Sequence, residues 1–324
     1  MRIPGRGRRR PPRVLCRRAG TRLALSCAAA FVLLAGCGGA SGPSTAGTHT
    51  TTSPPPDAAG VAVAVAQTAA GAVGYRDVGA GPPLLLLTGF GASIDSWPPS
   101  FLDALARDHR VVAMDNAGVG GTAAAAPLTI TAMADQASAL VTTLHLGRTS
   151  VLGWSMGGMV AQALAVDHPD EVSRLVLAAT QAGTGNALPV PAAAGAAAAS
   201  ADPATVLSVL FPPDQAAAEK AYADQIVQYP GFYQAPAALK PAQTTAIEQW
   251  LAGAVPAGRA EGALRVPTLV ADGTEDALDP VANDRLLARA IPQAQLVLYP
   301  DAGHAFLFQD ATAFLSRVEA FLPS

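Results

Sequence analysis

The chain has 324 residues, with 21 Lys and Arg against 24 Asp and Glu, a formal net charge of −3. Half of it is hydrophobic, enough for one large buried core. The charge is unevenly placed: residues 1–36 hold nine Arg and no acidic residue, and without them 12 basic residues face 24 acidic ones, which excludes nucleic acid and anionic surfaces as partners of the remaining body.

Residues 1–36 read as an export signal. A basic start, the 14-residue apolar run Leu23 to Gly36 and then Cys37 follow one another in secretory order. The run is shorter than the ~20 apolar residues a spanning helix needs. Leu34-Ala35-Gly36-Cys37 resembles the lipobox of bacterial lipoproteins. That resemblance implies acylation of Cys37 and a lipid anchor holding an exported protein to the bacterial membrane or envelope. Cys16 and Cys27 fall within the signal, so processing leaves no second Cys for an intramolecular disulfide. Residues 37–60 are rich in Gly, Ser, Thr, Pro and Ala and read as a flexible tether.

From residue 61 short apolar runs alternate with helical stretches. Strands are expected at Val61 to Ala66, Ala72 to Val78, Leu84 to Leu87, Val111 to Met114, Thr149 to Gly153, Arg174 to Ala179, Thr268 to Ala271 and Gln295 to Tyr299. Continuous apolar runs suit parallel strands buried on both faces. Helices are expected at Ser100 to Arg107, Ile130 to Leu144, Gly158 to His168, Val281 to Ala290 and Thr312 to Phe321. The alternation predicts an α/β fold, a doubly wound and mostly parallel sheet built from residues 61–182 and 266–324. Residues 183–265 carry Ala-rich runs, many Pro and scattered aromatics without a convincing strand. They read as a helical cap or lid inserted between two core strands, with a mobile stretch around Ala192 to Ala199.

Gly153-Trp154-Ser155-Met156-Gly157 fits G-x-S-x-G between a strand and a helix. That context makes the motif a nucleophile elbow, a sharp turn exposing the Ser hydroxyl. Here the chain resembles the α/β-hydrolase superfamily over roughly residues 72–323, including its esterase, enol-lactonase and cofactor-free haloperoxidase-like branches. The family's chain order is Ser, acid, His. The resemblance assigns Ser155 as nucleophile, Asp276 after the Gly273 turn as the acid, and His304 in Asp301-Ala302-Gly303-His304 as the base. A His base near neutral pH activates a Ser hydroxyl, and a buried carboxylate fixes its tautomer. Asp272, Glu275 and Asp279 are local rivals of Asp276.

By the same resemblance, the backbone N–H groups of Phe90 and Met156 form an oxyanion hole. Thr88 stands where the family usually has His, which alters the bracing of that loop. Asp115-Asn116-Ala117-Gly118-Val119-Gly120 resembles a family turn with Ala117 in place of Arg and reads as structural. Trp154 is expected beside the elbow or in the pocket wall. No metal ligand set and no nucleotide fingerprint stands out, so neither metal nor cofactor is expected. The expected activity is a lipid-anchored serine hydrolase that cleaves a small acyl ester, thioester or lactone through an acyl-enzyme. Perhydrolase or haloperoxidase-like chemistry on the same triad, and a non-catalytic envelope binding protein of the same fold, are the alternatives.

Overall fold

A computed structural model describes residues 57–323. The expected export signal, Cys37 and most of the tether lie outside the described residues. The sequence places the end of the tether at residue 60, but the folded body already includes Ala58. Ala58–Gly60 form a short 3-10 turn, Ala58 is fully buried, and its N–H donates to Asp103 Oδ1 at 2.8 Å. A buried residue with a paired amide belongs to the folded body.

Eight strands make one sheet: β1 (Ala64–Thr68), β2 (Gly71–Val78), β3 (Pro83–Leu87), β4 (Arg110–Met114), β5 (Thr149–Trp154), β6 (Val172–Ala178), β7 (Thr268–Gly273) and β8 (Gln295–Tyr299). Their spatial order is β1-β2-β4-β3-β5-β6-β7-β8. β2 runs antiparallel to both neighbours, whereas every pairing from β4 through β3 to β8 is parallel. The first strand starts at Ala64 rather than Val61, because the 3-10 turn at 58–60 takes up the preceding chain.

The strand sequences explain the layering. In β3, Leu85 and Leu87 enter one core while Leu84 and Leu86 enter the other. Val112 and Met114 of β4 repeat the split against Val111 and Ala113. Alternate residues thus bury both faces of a sheet that must be covered on both sides. One face is covered by α2 (Ile130–Thr143), α3 (Met156–Asp167) and α9 (Ala282–Ala290), the other by α1 (Pro99–Leu105), α10 (Phe306–Gln309) and α11 (Ala311–Phe321). Thr129 caps α2 by accepting the Ala132 N–H at 3.0 Å.

Between β6 and β7 the described residues form α4 (Ala192–Ala198), α5 (Pro203–Leu207), α6 (Ala216–Ile226), α7 (Lys240–Leu251) and α8 (Pro256–Arg259), with no strand among them. Tyr222, Tyr229 and Trp250 anchor this insertion in the two cores. Tyr222 donates to Ser96 O at 3.0 Å and Tyr229 to Trp97 O at 2.7 Å, so two buried phenols satisfy the turn that precedes α1.

Candidate active site

Ser155 sits at the carboxyl end of β5, where α3 begins at Met156. Its φ is 58° and its ψ −126°, a backbone that non-glycine residues seldom hold. The turn survives because the elements around it pass too closely for side chains. A Cβ on Gly153 would lie 2.4 Å from Gly157 O, and one on Gly157 only 2.1 Å from Leu87 O. Ser155 N–H donates to Ala178 O at 2.9 Å, and Ser155 O accepts from Thr180 Oγ1 at 2.8 Å, which fixes the strained residue on both sides.

His304 lies on the loop after β8, and Asp276 on the loop after β7. Their side chains are almost wholly buried and meet at 2.6 Å, Nδ1 to Oδ2. A carboxylate only accepts, so Nδ1 carries the hydrogen and Nε2 is left with its lone pair. Asp276 Oδ1 accepts from the N–H groups of Leu278 at 2.6 Å and Asp279 at 2.8 Å, which locks the carboxylate. Burial acts most strongly on His304 and pulls its pKa down. The charge and hydrogen bond of Asp276, with the charge of Asp279, outweigh it and leave the ring above its usual 6.5. Trp154 Nε1 donates to His304 O at 3.0 Å, tying the histidine loop to the elbow strand. Ser155 and His304 face the same cavities without a hydrogen bond between them, a looseness common where substrate is absent.

The loop after β3 packs against the elbow: a Cβ on Gly89 would meet Ser155 Cβ at 3.1 Å. Asn116 Nδ2 donates to Thr88 O at 2.9 Å and Thr88 Oγ1 at 3.1 Å, and Gly91 N–H donates to Gln243 Oε1 at 2.9 Å. Core and insertion therefore grip the loop at its two ends. The N–H of Phe90, between them, has no partner among the described residues, nor has that of Met156, which opens α3. Asp115 accepts the Ile94 N–H at 2.8 Å and bonds the Tyr233 hydroxyl, as a structural turn residue should.

Three other aspartates gather behind Asp276. Asp272, Asp279 and Asp284 are buried, and an oxygen from each lies within 4.8 Å of the others. Asp279 Oδ1 accepts from Gln181 Nε2 and Asn283 Nδ2, both at 2.8 Å. Burial, then neighbouring carboxylate charge, pushes Asp279 up to about 7, Asp284 to about 9 and Asp272 well above its normal range. At neutral pH Asp284 therefore keeps its proton and Asp279 stands near its midpoint, so the group does not carry three full negative charges.

Two cavities open beside Ser155. One, about 290 Å³, is bounded by α5 and α6. The other, about 530 Å³, is bounded by α4 and α7. Phe90, Ser155, Ala198, Leu278 and His304 line both.

The family model described as the alpha/beta hydrolase fold matches residues 82–311. The chain belongs to the α/β-hydrolase family. Like its relatives it is a hydrolase. It is 32% identical over 258 residues to a 2-hydroxymuconate semialdehyde hydrolase of Pseudomonas sp. (strain CF600), spanning 76% of this chain and 89% of that protein. It is 34% identical over 256 residues to a poly(3-hydroxyalkanoate) depolymerase of Ectopseudomonas oleovorans, spanning 74% and 84%. An alpha/beta hydrolase fold protein from Chitinophaga pinensis superposes with a TM-score of 0.71 at 25% identity, covering 83% of this chain and 99% of that one.

In this hydrolase the fold brings Ser155, Asp276, His304, Phe90 and Met156 to one end of the parallel strands. Trp154 both lines the smaller cavity and braces His304. Sequence reading does not anticipate Gln243 on the loop at Gly91, because a lone Gln 152 positions away in a helix carries no local signal. It expects no metal ligand set, and it misses the buried trio because the loop turns Asp279 and Asp284 back toward Asp272.

Proposed function

We propose that the protein is a cofactor-independent serine hydrolase that cleaves carboxylic esters, thioesters or lactones. The observation that carries this reading is the 2.6 Å contact of Asp276 with His304 Nδ1 at the wall of cavities that Ser155 also lines. In the reaction His304 Nε2 takes the Ser155 hydroxyl proton as the oxygen attacks the substrate carbonyl. Asp276 holds the ring and its positive charge. The N–H groups of Phe90 and Met156 receive the developing oxyanion, a contribution of roughly 3–4 kcal/mol for one such donor. His304 returns the proton to the departing alcohol or thiol. Water, deprotonated by the same Nε2, then hydrolyses the acyl-enzyme and frees Ser155.

Labelling by a fluorophosphonate probe tests the assignment: wild type labels and Ser155→Ala does not. Equal labelling of both would refute it. We further propose export and anchoring through lipid on Cys37, from the lipobox-like Leu34 to Cys37 and the basic, apolar segment before it. Incorporation of a palmitate analogue that Cys37→Ala abolishes is the expected result.

A further inference from the structure

We infer that the substrate is an open-chain ester, uncharged on both sides of its carbonyl, with the bulkier apolar group held between α4 and α7. This rests on the serine hydrolase reading and narrows it. The two cavities meet at a waist formed by Phe90, Ser155, Ala198, Leu278 and His304, so a carbonyl at Ser155 extends one arm into each. Their volumes, about 290 and 530 Å³, fall near or within the roughly 300–1,000 Å³ range of small-molecule sites, and the larger offers nearly twice the room.

Charge decides the rest. Among the described residues the smaller cavity is lined by no Asp, Glu, Lys or Arg, and its wall is mostly apolar side chains such as Val206, Leu207 and Ile226. Among the described residues the larger is lined by no Lys or Arg, and its titratable residues besides His304 are acidic, Glu248 and Asp279. Lys240 lies nearby, 5.9 Å from the Phe90 ring centroid. It is outside both linings and donates to Ser200 O at 2.6 Å and Ala198 O at 3.4 Å, so it closes the end of α4. With His304 neutral, as a base must be, a substrate carboxylate in either arm thus meets no Lys or Arg among the described residues, and in the larger cavity it would face Glu248 and the partly ionised Asp279. Burying an ionised group without a partner is strongly unfavourable. A muconate, the acid named for one relative's substrate, is disfavoured here on that ground.

The test uses three near-isosteric esters: hexyl heptanoate, monohexyl adipate with its carboxylate on the acyl arm, and 5-carboxypentyl heptanoate with its carboxylate on the alcohol arm. Binding is measured calorimetrically on Ser155→Ala, which keeps both cavities, and kcat/KM on wild type. Either carboxylate should weaken binding by about a hundredfold and lower kcat/KM by a similar factor. Val206→Arg should restore at least tenfold of the loss for one of the two acids. Acids that bind Ser155→Ala within threefold of hexyl heptanoate would overturn the inference. A wild type that turns over none of the three, while Ser155→Ala keeps the hundredfold difference, would sink the hydrolase reading and leave standing only the preference of the two cavities for uncharged ligands.

Discussion

Replacing Gln243 by Leu should slow turnover without changing what binds. Gln243 is fully buried on α7, and its Oε1 accepts the Gly91 N–H at 2.9 Å. Leu nearly matches its volume but offers no acceptor, so the Gly91 N–H loses its partner, a cost of about 1–3 kcal/mol. Gly91 follows Phe90 directly, so the loss loosens the proposed oxyanion donor and leaves it in place. Complete removal of such a donor costs about 10²–10³ in kcat. Partial displacement should therefore cost roughly tenfold, equivalent to about 1.4 kcal/mol. Steady-state kinetics on esters of several acyl lengths provide the assay. The kcat loss should be the same for every length, with KM within twofold, because Gln243 lines neither cavity. Gln243→Glu keeps the acceptor and should recover most of the rate. A Leu variant with lowered melting temperature but wild-type kcat would show that the contact serves the fold alone and would refute the reasoning.

The remaining expectations concern pH. As the proposed base, His304 must be neutral to take a proton, and its pKa is raised from 6.5, so activity should rise with pH through a midpoint above 6.5. Asp276→Asn removes the charge that holds the pKa up and should move the midpoint down as well as lower kcat; a wild-type acid limb at or below 6.5 would contradict this. Asp284 is raised from 3.8 to about 9 by burial and the charges of Asp279 and Asp276, so its neutral form is the one the fold favours. Its contribution to stability is complete below about pH 4 and lost as pH climbs through about 9. Asp284→Asn should therefore melt increasingly above wild type between pH 6 and pH 9, and a pH-independent difference in melting temperature would exclude this account.

Much of the sheet is legible in the sequence because its strands are short apolar runs buried on both faces. Leu84 to Leu87 is recognisable without its neighbours, and the structure extends it only to Pro83. The first strand is misplaced by three residues, since Val61 and Val63 pack as extended chain beside the core without joining the ladder. Ser155 is marked by local glycines whose close packing is a short-range property. Asp276 and His304 are marked by their place after strands. The contacts that support them are long-range: Trp154 to His304, Gln181 to Asp279 and Gln243 to Gly91 join residues that no pattern couples along the chain. Packing of the insertion escapes sequence reading for the same reason, because its Ala-rich helices have weak periodicity and take their positions from the aromatics that dock them.

The tyrosines of the insertion have a bearing on protein engineering. Tyr222, Tyr229 and Tyr233 all fasten to the stretch Ser93 to Trp97 or to its neighbour Asp115, and Gln243 reaches the strand-end loop beside them. A segment transplanted from a cousin would arrive without matching sockets in its new host. Swapping specificity by exchanging residues 183–265 wholesale would thus unseat the chemistry along with the pocket, and productive chimeras will have to carry residues 88–97 and Asp115 with them.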